Sequence, residues 1–254
     1  EIRDLPHKST VPGRMHACGH DGHTAMLLGA ARYLAETRNF DGTAIVIFQP
    51  AEEGGGGGRE MVEDGLMERF GIQQVFGMHN FPGLPVGHFA IRPGPMLAAA
   101  DQFTIRVTGV GGHAARPHAC IDTTLVAAQI LQGLQSIVAR NVDPIENAVV
   151  SVTSFRTGSV SHNVIPQEVE LLGTARTLSP VVRDLVEERL GRLVGGIAAA
   201  FGARAELDYV RDYPVTANSP QEAHFAADIA ESVAGWGRVE REVPPVMGGE
   251  DFSF

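Results

Sequence analysis

The sequence has 254 residues, of which 44% are hydrophobic and 20% charged, and it carries a formal net charge of −10. That length allows one large domain or two smaller ones with a buried core, and the composition excludes a disordered chain. The negative charge argues against nucleic acid or an anionic membrane as a partner, and no apolar run approaches the roughly 18 to 20 residues of a membrane-spanning helix.

The cysteines and the chain ends set two further expectations. Two cysteines are too few for a disulfide framework. Cys18 lies among histidines whereas Cys120 lies at the start of a predicted apolar helix, which favours a reduced, cytoplasmic protein in which Cys18 has its own role. EIRDLPHKST begins within a predicted loop and MGGEDFSF stops just after a polar cluster, so we expect a fragment of a longer protein.

The first hundred residues alternate between helical and extended patterns. A helix is predicted from Asp21 over DGHTAMLLGAARYLAETR, a strand over Thr43–Phe48, a short helix over REMVEDGLMERF and a short buried strand over QQVFGMHN. The glycine run Gly54–Gly58 is predicted to be a loop. Without a following Gly-Lys-Ser/Thr it does not indicate phosphate binding, and we expect it to let the backbone pass close to a site. The alternation predicts an α/β layer with a mostly parallel sheet.

A second pattern begins near residue 99. The strand QFTIRVTGV, the helix CIDTTLVAAQILQGLQSIVAR, the strands AVVSVTSFRTG and EVELLGTART, the helix SPVVRDLVEERLGRLVGGIAAAF and the strand AELDYVRDY follow one another. This β-α-β-β-α-β order is that of the ferredoxin-like split unit. We therefore expect a module inserted at residues 99–213, with the first domain divided into residues 1–98 and 214–254.

The helix that follows the module carries a start signal. In SPQEAHFAADIAESVAGW, Ser219 is predicted to be the N-cap, Pro220 the first helical residue and Glu222 the partner of Ser219 in a capping box. We expect this helix to return to the first domain.

The stretch MHACGHDGH, residues 15–23, is the strongest chemical signal. Cys18 and His20 are one residue apart, so in an extended segment their side chains would point the same way, and thiolate and imidazole are both good ligands for zinc and its neighbours. Half of a disulfide and a buried polar cluster are the alternatives. Asp21 and His23 open the predicted helix, where an aspartate caps well, and we expect them to support ligands rather than bind metal.

Polar side chains also follow both predicted strands of the first region. Glu52 and Glu53 come after the strand that Pro50 stops, and His79 follows VFGM. Each could be an ordinary solvated or half-buried residue, but open α/β sheets place their sites at the carboxyl ends of strands. Of two adjacent carboxylates, one can bind metal while the other takes a proton from an activated water, and the spacing does not say which does which.

These motifs together resemble a known family. MHACGHDGHTAM, the run from PAEEGGGG to REM, GMHN, GGHAARPH, NVIPQEVELLGTAR and GGEDF are similar to the amidohydrolase branch of the aminoacylase-type dinuclear metallopeptidases, which includes hippurate hydrolase and the plant auxin-conjugate hydrolases. The resemblance covers nearly the whole chain. It implies a zinc-peptidase-like catalytic domain with an inserted lid that also carries a homodimer contact.

By position, the resemblance makes four residues metal ligands and gives four others roles in catalysis and substrate binding. Cys18, His20, Glu53 and His79 would hold two divalent metal ions, zinc or manganese, with cobalt or nickel as alternatives. Glu52 would be the general base, and His113 would polarise the scissile carbonyl in a neighbouring subunit's site. Asn163 and Arg176 would bind the substrate's carboxylate. From the residues alone, His118 competes with His113, Asn163 could only cap a turn, and Arg176 could form a surface salt bridge.

The family pattern also contains a metal-binding histidine near its C-terminus and an acidic strand segment before the present N-terminus, and neither occurs in this sequence. We expect the four ligands to hold one metal ion fully or two incompletely. The sequence predicts a cytoplasmic amidohydrolase that cleaves small N-acyl amino acids. A carboxypeptidase or dipeptidase with the same centre, and a non-catalytic domain that binds metal or a partner, are the rival interpretations.

Overall fold

The computed structural model describes residues 5–254, so the first four residues of the predicted N-terminal loop lie outside it. The chain divides into two compact units, one ending at Val86 and the other spanning Gly87–Phe254. The boundaries predicted at residues 98 and 213 are a different division and remain a prediction. Among the helices of the described residues, none is both long and apolar enough to span a membrane.

The first unit is built from helices and loops. Its helices are α1 His20–Thr37, α2 Gly57–Glu63 and α3 Leu66–Phe70. The helix predicted from Asp21 is confirmed, whereas the one predicted over REMVEDGLMERF is two short helices. Gly65, with a left-handed φ of 84°, separates them, because a residue in that conformation cannot continue a right-handed helix.

Two predicted strands of the first unit are not formed. Residues 43–48 and 73–80 are assigned no strand, and the second segment is not buried, since Phe76 is 51% and Met78 54% exposed. An alternating or apolar pattern identifies side chains that gain from burial, but a strand also requires a neighbouring strand and a covering layer. Parallel pairing in the described residues is limited to β1 with β10, defined below, and to a Leu97–Val246 bridge, so the predicted mostly parallel sheet is not seen.

The second unit contains all the strands assigned in the described residues, together with three helices. The strands are β1 Phe89–Ala90, β2 Gly94–Leu97, β3 Ala99–Thr108, β4 Gly112–His113, β5 Ala148–Thr157, β6 Val164–Ile165, β7 Glu168–Thr177, β8 Arg204–Tyr213, β9 Thr216–Asn218 and β10 Val239–Glu240. The helices are α4 Thr123–Arg140, α5 Pro180–Ala200 and α6 Pro220–Ala234, with short 3-10 turns at Pro117–Ala119 and Asp251–Ser253. The chain is therefore of mixed α/β class.

A four-stranded antiparallel sheet carries the core of this unit. Its strand order is β5-β7-β3-β8, and α4 and α5 pack against it. In β3 every second residue from Asp101 to Val107 is buried, as expected for a strand with one covered face. The helices contribute side chains at helical spacing, namely Val126, Ala127, Ile130, Leu134 and Ile137 from α4 and Val182, Val186, Leu190, Val194 and Ala198 from α5.

A buried charge ties β3 to α5 and β8. The carboxylate of Asp101, 2% exposed, accepts hydrogen bonds from Arg183 Nε at 3.0 Å and from the Tyr209 hydroxyl at 2.6 Å. Burial, and then the bond to Asp101, raise the pKa of Tyr209 far above its usual value near 10. Breaking such a buried pair leaves an uncompensated charge, so these contacts hold the sheet and helix in one arrangement.

Capping of the helices only partly follows the sequence signals. Asp122 caps α4 by accepting hydrogen bonds from Thr124 N and Leu125 N at 3.0 and 3.3 Å. Ser219 is the N-cap of α6 and Pro220 its first residue, as predicted, but the Ser219 hydroxyl makes no capping hydrogen bond, so that half of the predicted capping box is wrong.

Candidate metal centre

A left-handed glycine places Cys18 beside His20. Gly19 has φ 84° and ψ 20° and is the N-cap of α1, so the segment is not extended as the sequence suggested, and Asp21 lies within the first turn rather than at the cap. A Cβ on Gly19 would lie 2.2 Å from Asn80 Nδ2. Glycine is therefore required at position 19 for two reasons, the backbone conformation and the close approach of another segment.

A compact glycine-rich loop presents the two glutamates. Gly54 N donates to Glu52 O at 2.6 Å, and Ala51 itself has a left-handed φ of 56°. A Cβ on Gly57 would lie 1.8 Å from the carbonyl oxygen of Pro50. Gly57 is the first residue of α2, so the loop predicted over Gly54–Gly58 ends at Gly56. The close approach that Gly57 permits is to the start of this loop, and it shapes the turn that carries the carboxylates.

The five candidate side chains of the first unit lie close together. Cys18 Sγ is 3.4 Å from His79 Nε2, His20 Nε2 is 3.7 Å from Glu52 Oε2, and His20 Nδ1 is 4.0 Å from Glu53 Oε1. Two groups, Cys18–His20–His79 and His20–Glu52–Glu53, each have all three ligand atoms within 4.8 Å of one another. His20 belongs to both groups, and the arrangement forms although the sheet invoked to predict it is not formed.

The donor set fits a divalent transition metal. His20 Nε2 is buried and has no hydrogen-bond partner among the described residues, and 3.7 Å to Glu52 is too long for a hydrogen bond. A buried ring nitrogen without a partner costs free energy, which a metal ion at that position would recover. Thiolate, imidazole and carboxylate together suit zinc, manganese, cobalt or nickel.

The ring of His79 is oriented by a hydrogen bond on its far side. His79 Nδ1 lies 2.6 Å from the carbonyl oxygen of Asn80, which can only accept, so Nδ1 carries the proton. In a neutral ring, Nε2 then keeps its lone pair on the side that faces Cys18. A bond from the second nitrogen to a backbone carbonyl is one of the usual ways in which proteins fix a metal-binding histidine.

The hydrogen bonds of His23 go to the same asparagine rather than to a ligand side chain. Asn80 N donates to His23 Nε2 at 3.0 Å, and Asn80 Oδ1 lies 2.9 Å from the same nitrogen. One nitrogen cannot both accept and donate here, so the amide satisfies the contact when it is turned to present Nδ2. Burial is the main cause of the lowered pKa of His23. Asn80 was missed in the sequence, where its position directly after His79 was the only signal.

Two further predicted residues lie together in the second unit. Strand β4 pairs with β6, and Ala114 N donates to Asn163 O at 2.9 Å, which brings His113 and Asn163 side by side on exposed backbone. Ala115 N donates to His113 Nδ1 at 3.1 Å. Because Nδ1 accepts, the proton of the neutral ring is on Nε2, which is left as a donor. His118 lies in the neighbouring 3-10 turn, Pro117–Ala119.

Arg176 lies on β7, apart from the β4–β6 pair. Its Nη1 would be 3.2 Å from a Cβ added at Gly249. Among residues 5–254, the Arg176 guanidinium makes no hydrogen bond or ion pair, so the surface salt bridge considered for it is not observed there.

Comparison with known proteins places this chain in a family. All of residues 1–254 match the family model described as Peptidase family M20/M25/M40. The chain belongs to that family. The resemblance read from the sequence motifs is thereby confirmed.

Several named proteins align with the whole length of the chain. It is 43% identical to an N-acetylcysteine deacetylase of Bacillus subtilis (strain 168) and 41% identical to a hippurate hydrolase of Campylobacter jejuni, covering 100% of this chain and 66% of each relative. The crystal structure of the Bacillus subtilis YXEP protein, a dinuclear metal binding peptidase from the M20 family, is 38% identical with a TM-score of 0.79, covering 100% of this chain and 64% of that one. The chain thus spans just under two thirds of the length of these proteins.

Proposed function

We propose that this chain is the metal-binding part of an amidohydrolase that cleaves N-acyl amino acids into a carboxylic acid and a free amino acid. The observation that carries the proposal is the two groups of potential metal-binding side chains that share His20, one of which contains both Glu52 and Glu53. The names of the M20 relatives, an N-acetylcysteine deacetylase and a hippurate hydrolase, support the same reaction class.

The metal would be held by Cys18, His20, Glu53 and His79. Two divalent ions are proposed because the YXEP neighbour is described as dinuclear and because His20 belongs to both groups of donors. Zinc or manganese fits the donors, with cobalt or nickel as alternatives. When bound, such ions lower the pKa of water and polarise a carbonyl group.

Glu52 would be the general base. Its side chain is 18% exposed, whereas that of Glu53 is 72% exposed. A shielded carboxylate can hold a proton without losing it to bulk water. Glu52 would take a proton from the attacking water and pass it to the departing nitrogen of the amide.

The second unit would supply the groups that recognise the substrate. The Nε2–H of His113, left free to donate by the bond at Nδ1, would stabilise the negative charge that develops on the acyl oxygen. Asn163 and the guanidinium of Arg176 would bind the carboxylate of the amino acid, for which the planar fork of arginine is well suited.

Residues 99–213 would form an inserted, ferredoxin-like lid between the two parts of a catalytic domain, 1–98 and 214–254. The β-α-β-β-α-β order of β3, α4, β5, β7, α5 and β8, with its antiparallel sheet, supports this assignment. We propose that the lid also forms a homodimer through which His113 reaches the partner's site. Cys18 and Cys120 form no disulfide, and one of them is a proposed ligand, which suits a reducing cytoplasm.

The activity is tested with the full-length protein, loaded in turn with each candidate metal, against N-acetyl, N-benzoyl and N-indolylacetyl amino acids. Dipeptides serve as the comparison that detects a peptidase. Glu52→Gln should keep metal and lose about two or more orders of magnitude in turnover, the usual contribution of an acid–base group, whereas Glu53→Gln should lose metal first. Cys18→Ala should lose metal and turnover, with Cys120→Ala as the matched control. A wild-type protein that binds metal but hydrolyses none of these amides would contradict the proposal.

The action of His113 across subunits is tested by mixing two inactive full-length variants, His113→Ala and Glu52→Gln. In trans, a mixed dimer contains one intact site and should recover up to about half of the wild-type activity. If His113 acts within its own subunit, each site of a mixed dimer keeps one lesion. No recovery after verified subunit exchange would contradict the trans assignment.

A further inference from the structure

We propose that His23 is a positioning residue that orients the metal-binding ring of His79 through the backbone of Asn80. The inference rests on the proposed function, because it concerns the way in which one proposed ligand is held. His23 belongs to the motif MHACGHDGH, and in the described residues its hydrogen bonds go to Asn80 rather than to a proposed ligand side chain, so its role has to be found in what Asn80 does.

Asn80 is held from both sides of its Cα. Its N–H donates to His23 Nε2 at 3.0 Å, and its carbonyl oxygen accepts from His79 Nδ1 at 2.6 Å. These groups belong to two successive peptide units, so the two bonds together restrict both backbone torsions of Asn80. The carbonyl that orients His79 is therefore fixed in place by the bond to His23.

The Asn80 side chain extends this link to the other ligands. Its amide lies directly over Gly19, where an added Cβ would be 2.2 Å from the nearer of the two amide atoms, and Gly19 joins Cys18 to His20. One residue thus contacts the segment that carries two proposed ligands and also orients a third. A shift of Asn80 would change the 3.4 Å separation between Cys18 Sγ and His79 Nε2.

The geometry argues that His23 acts as a hydrogen-bond acceptor and not as a ligand. Its Nε2 is occupied by the N–H of Asn80, and its ring lies edge to face against that of His79 with centroids 4.3 Å apart. The position therefore requires an acceptor at the location of Nε2, reached from α1. Glutamine can place Oε1 there, whereas leucine fills the space without an acceptor.

The test compares His23→Gln and His23→Leu with His16→Leu, an exposed histidine of the same motif. Metal affinity of the full-length apoprotein is measured by competition with a chromophoric chelator. His23→Leu should bind about 10–100-fold more weakly, as is usual when the group that orients a ligand is lost. His23→Gln should stay close to wild type, and His16→Leu should be unchanged. A merely structural histidine would not be rescued by glutamine.

A second measurement does not need metal. The imidazole ¹H–¹⁵N spectrum of the apoprotein should show His79 protonated at Nδ1 in wild type and His23→Gln, and a mixture of tautomers in His23→Leu. If His23→Leu does not fold, His23→Phe keeps a ring of similar size without an acceptor and should give the same result. Wild-type affinity and an unchanged His79 tautomer in the leucine or phenylalanine variant would overturn the inference, as would an equal loss in His23→Gln.

The two proposals fail in different ways. A wild-type protein without metal binding or amide hydrolysis contradicts the proposed function. Normal metal binding and hydrolysis in wild type, combined with unchanged affinity in His23→Leu, contradicts only the role of His23.

Discussion

The two units of the chain differ in content, because the first holds the proposed metal ligands and the second holds the hydrophobic core. In the first unit, Cys18, His20, Glu52, Glu53 and His79 lie within a few ångströms of one another, yet only Gly56 and Gly57 are buried among its described residues. The second unit has a continuous core between α4, α5 and a four-stranded sheet, while its candidate residues His113 and Asn163 lie on exposed backbone. Site geometry in the first unit thus depends on left-handed glycines and local hydrogen bonds, and stability in the second depends on packing.

The largest difference in stability is expected for a buried ion pair, which among the described residues occurs only in the second unit. Arg183→Met would leave Asp101 buried without its cation and should cost about 3–5 kcal/mol of unfolding free energy. Arg192→Met on the same helix removes an exposed pair with Glu188 and should cost only about 0.3–0.5 kcal/mol. Urea denaturation of both variants measures the difference, and equal losses would show that Asp101 is solvated.

Leucine truncation compares the two units directly. Leu134 on α4 is 0% exposed, so Leu134→Ala should cost about 2–5 kcal/mol through lost burial and a residual cavity. Leu28 on α1 is 56% exposed, and Leu28→Ala should change stability by no more than about 0.5 kcal/mol. A large loss in full-length Leu28→Ala, seen by chemical denaturation, would mean that α1 is covered there.

Replacing one tyrosine in each unit extends the comparison to the pH dependence of stability. The folded-state pKa of Tyr209 is raised, so its contribution is complete below the unfolded pKa near 10 and is lost as pH rises through the folded value. Tyr209→Phe should cost about 1.5–3 kcal/mol at neutral pH, as a hydrogen bond to a charged group does. The stability of the Tyr209→Phe variant should also fall less steeply with pH than that of wild type above about pH 10. Tyr33→Phe, at a side chain 65% exposed on α1, should change neither quantity.

Glycine substitutions give the smallest effects and probe the first unit alone. Gly57→Ala would drive a Cβ into the Pro50 carbonyl and should cost about 1–3 kcal/mol of local strain, with weaker metal binding because the loop carries Glu52 and Glu53. In Gly22→Ala, on α1, the added Cβ meets nothing within 4 Å, so the variant should gain about 0.5–1 kcal/mol of unfolding free energy. Melting temperatures and chelator competition distinguish the two, and a stabilised Gly57→Ala would disprove the packing over Pro50.

The sequence predicted the second unit better than the first. Strand β7 was predicted at residues 168–177, where it is found, and α4 and α5 were predicted within about three residues at each end. These elements have regular periodicity and pack against one another, so the pattern contains most of the information. The strands of two to four residues, such as β4 and β6, were not predicted because so few residues show no period.

The chemistry of the first unit was predicted from residue types, not from structure. Cys18, His20, Glu52, Glu53 and His79 were expected to lie together at the edge of a sheet, and they do lie together although no strand is assigned at residues 43–48. The role of Asn80 was not foreseen, because two of its three contacts use backbone atoms, which every residue has. Side-chain identity predicts donors, but it does not predict which main-chain groups orient them.

The position of β3 in the sheet affects the order of events during synthesis. This strand lies between β7 and β8, with Phe103 paired to Tyr209 on one side, so its last neighbour is made roughly a hundred residues after it. At ribosomal rates of about 5–20 residues per second, one edge of β3 would wait on the order of 5–20 s for its partner. During that time the edge is open to pairing with other chains, and the late arrival of β8 makes its emergence the step that protects the nascent protein from aggregation.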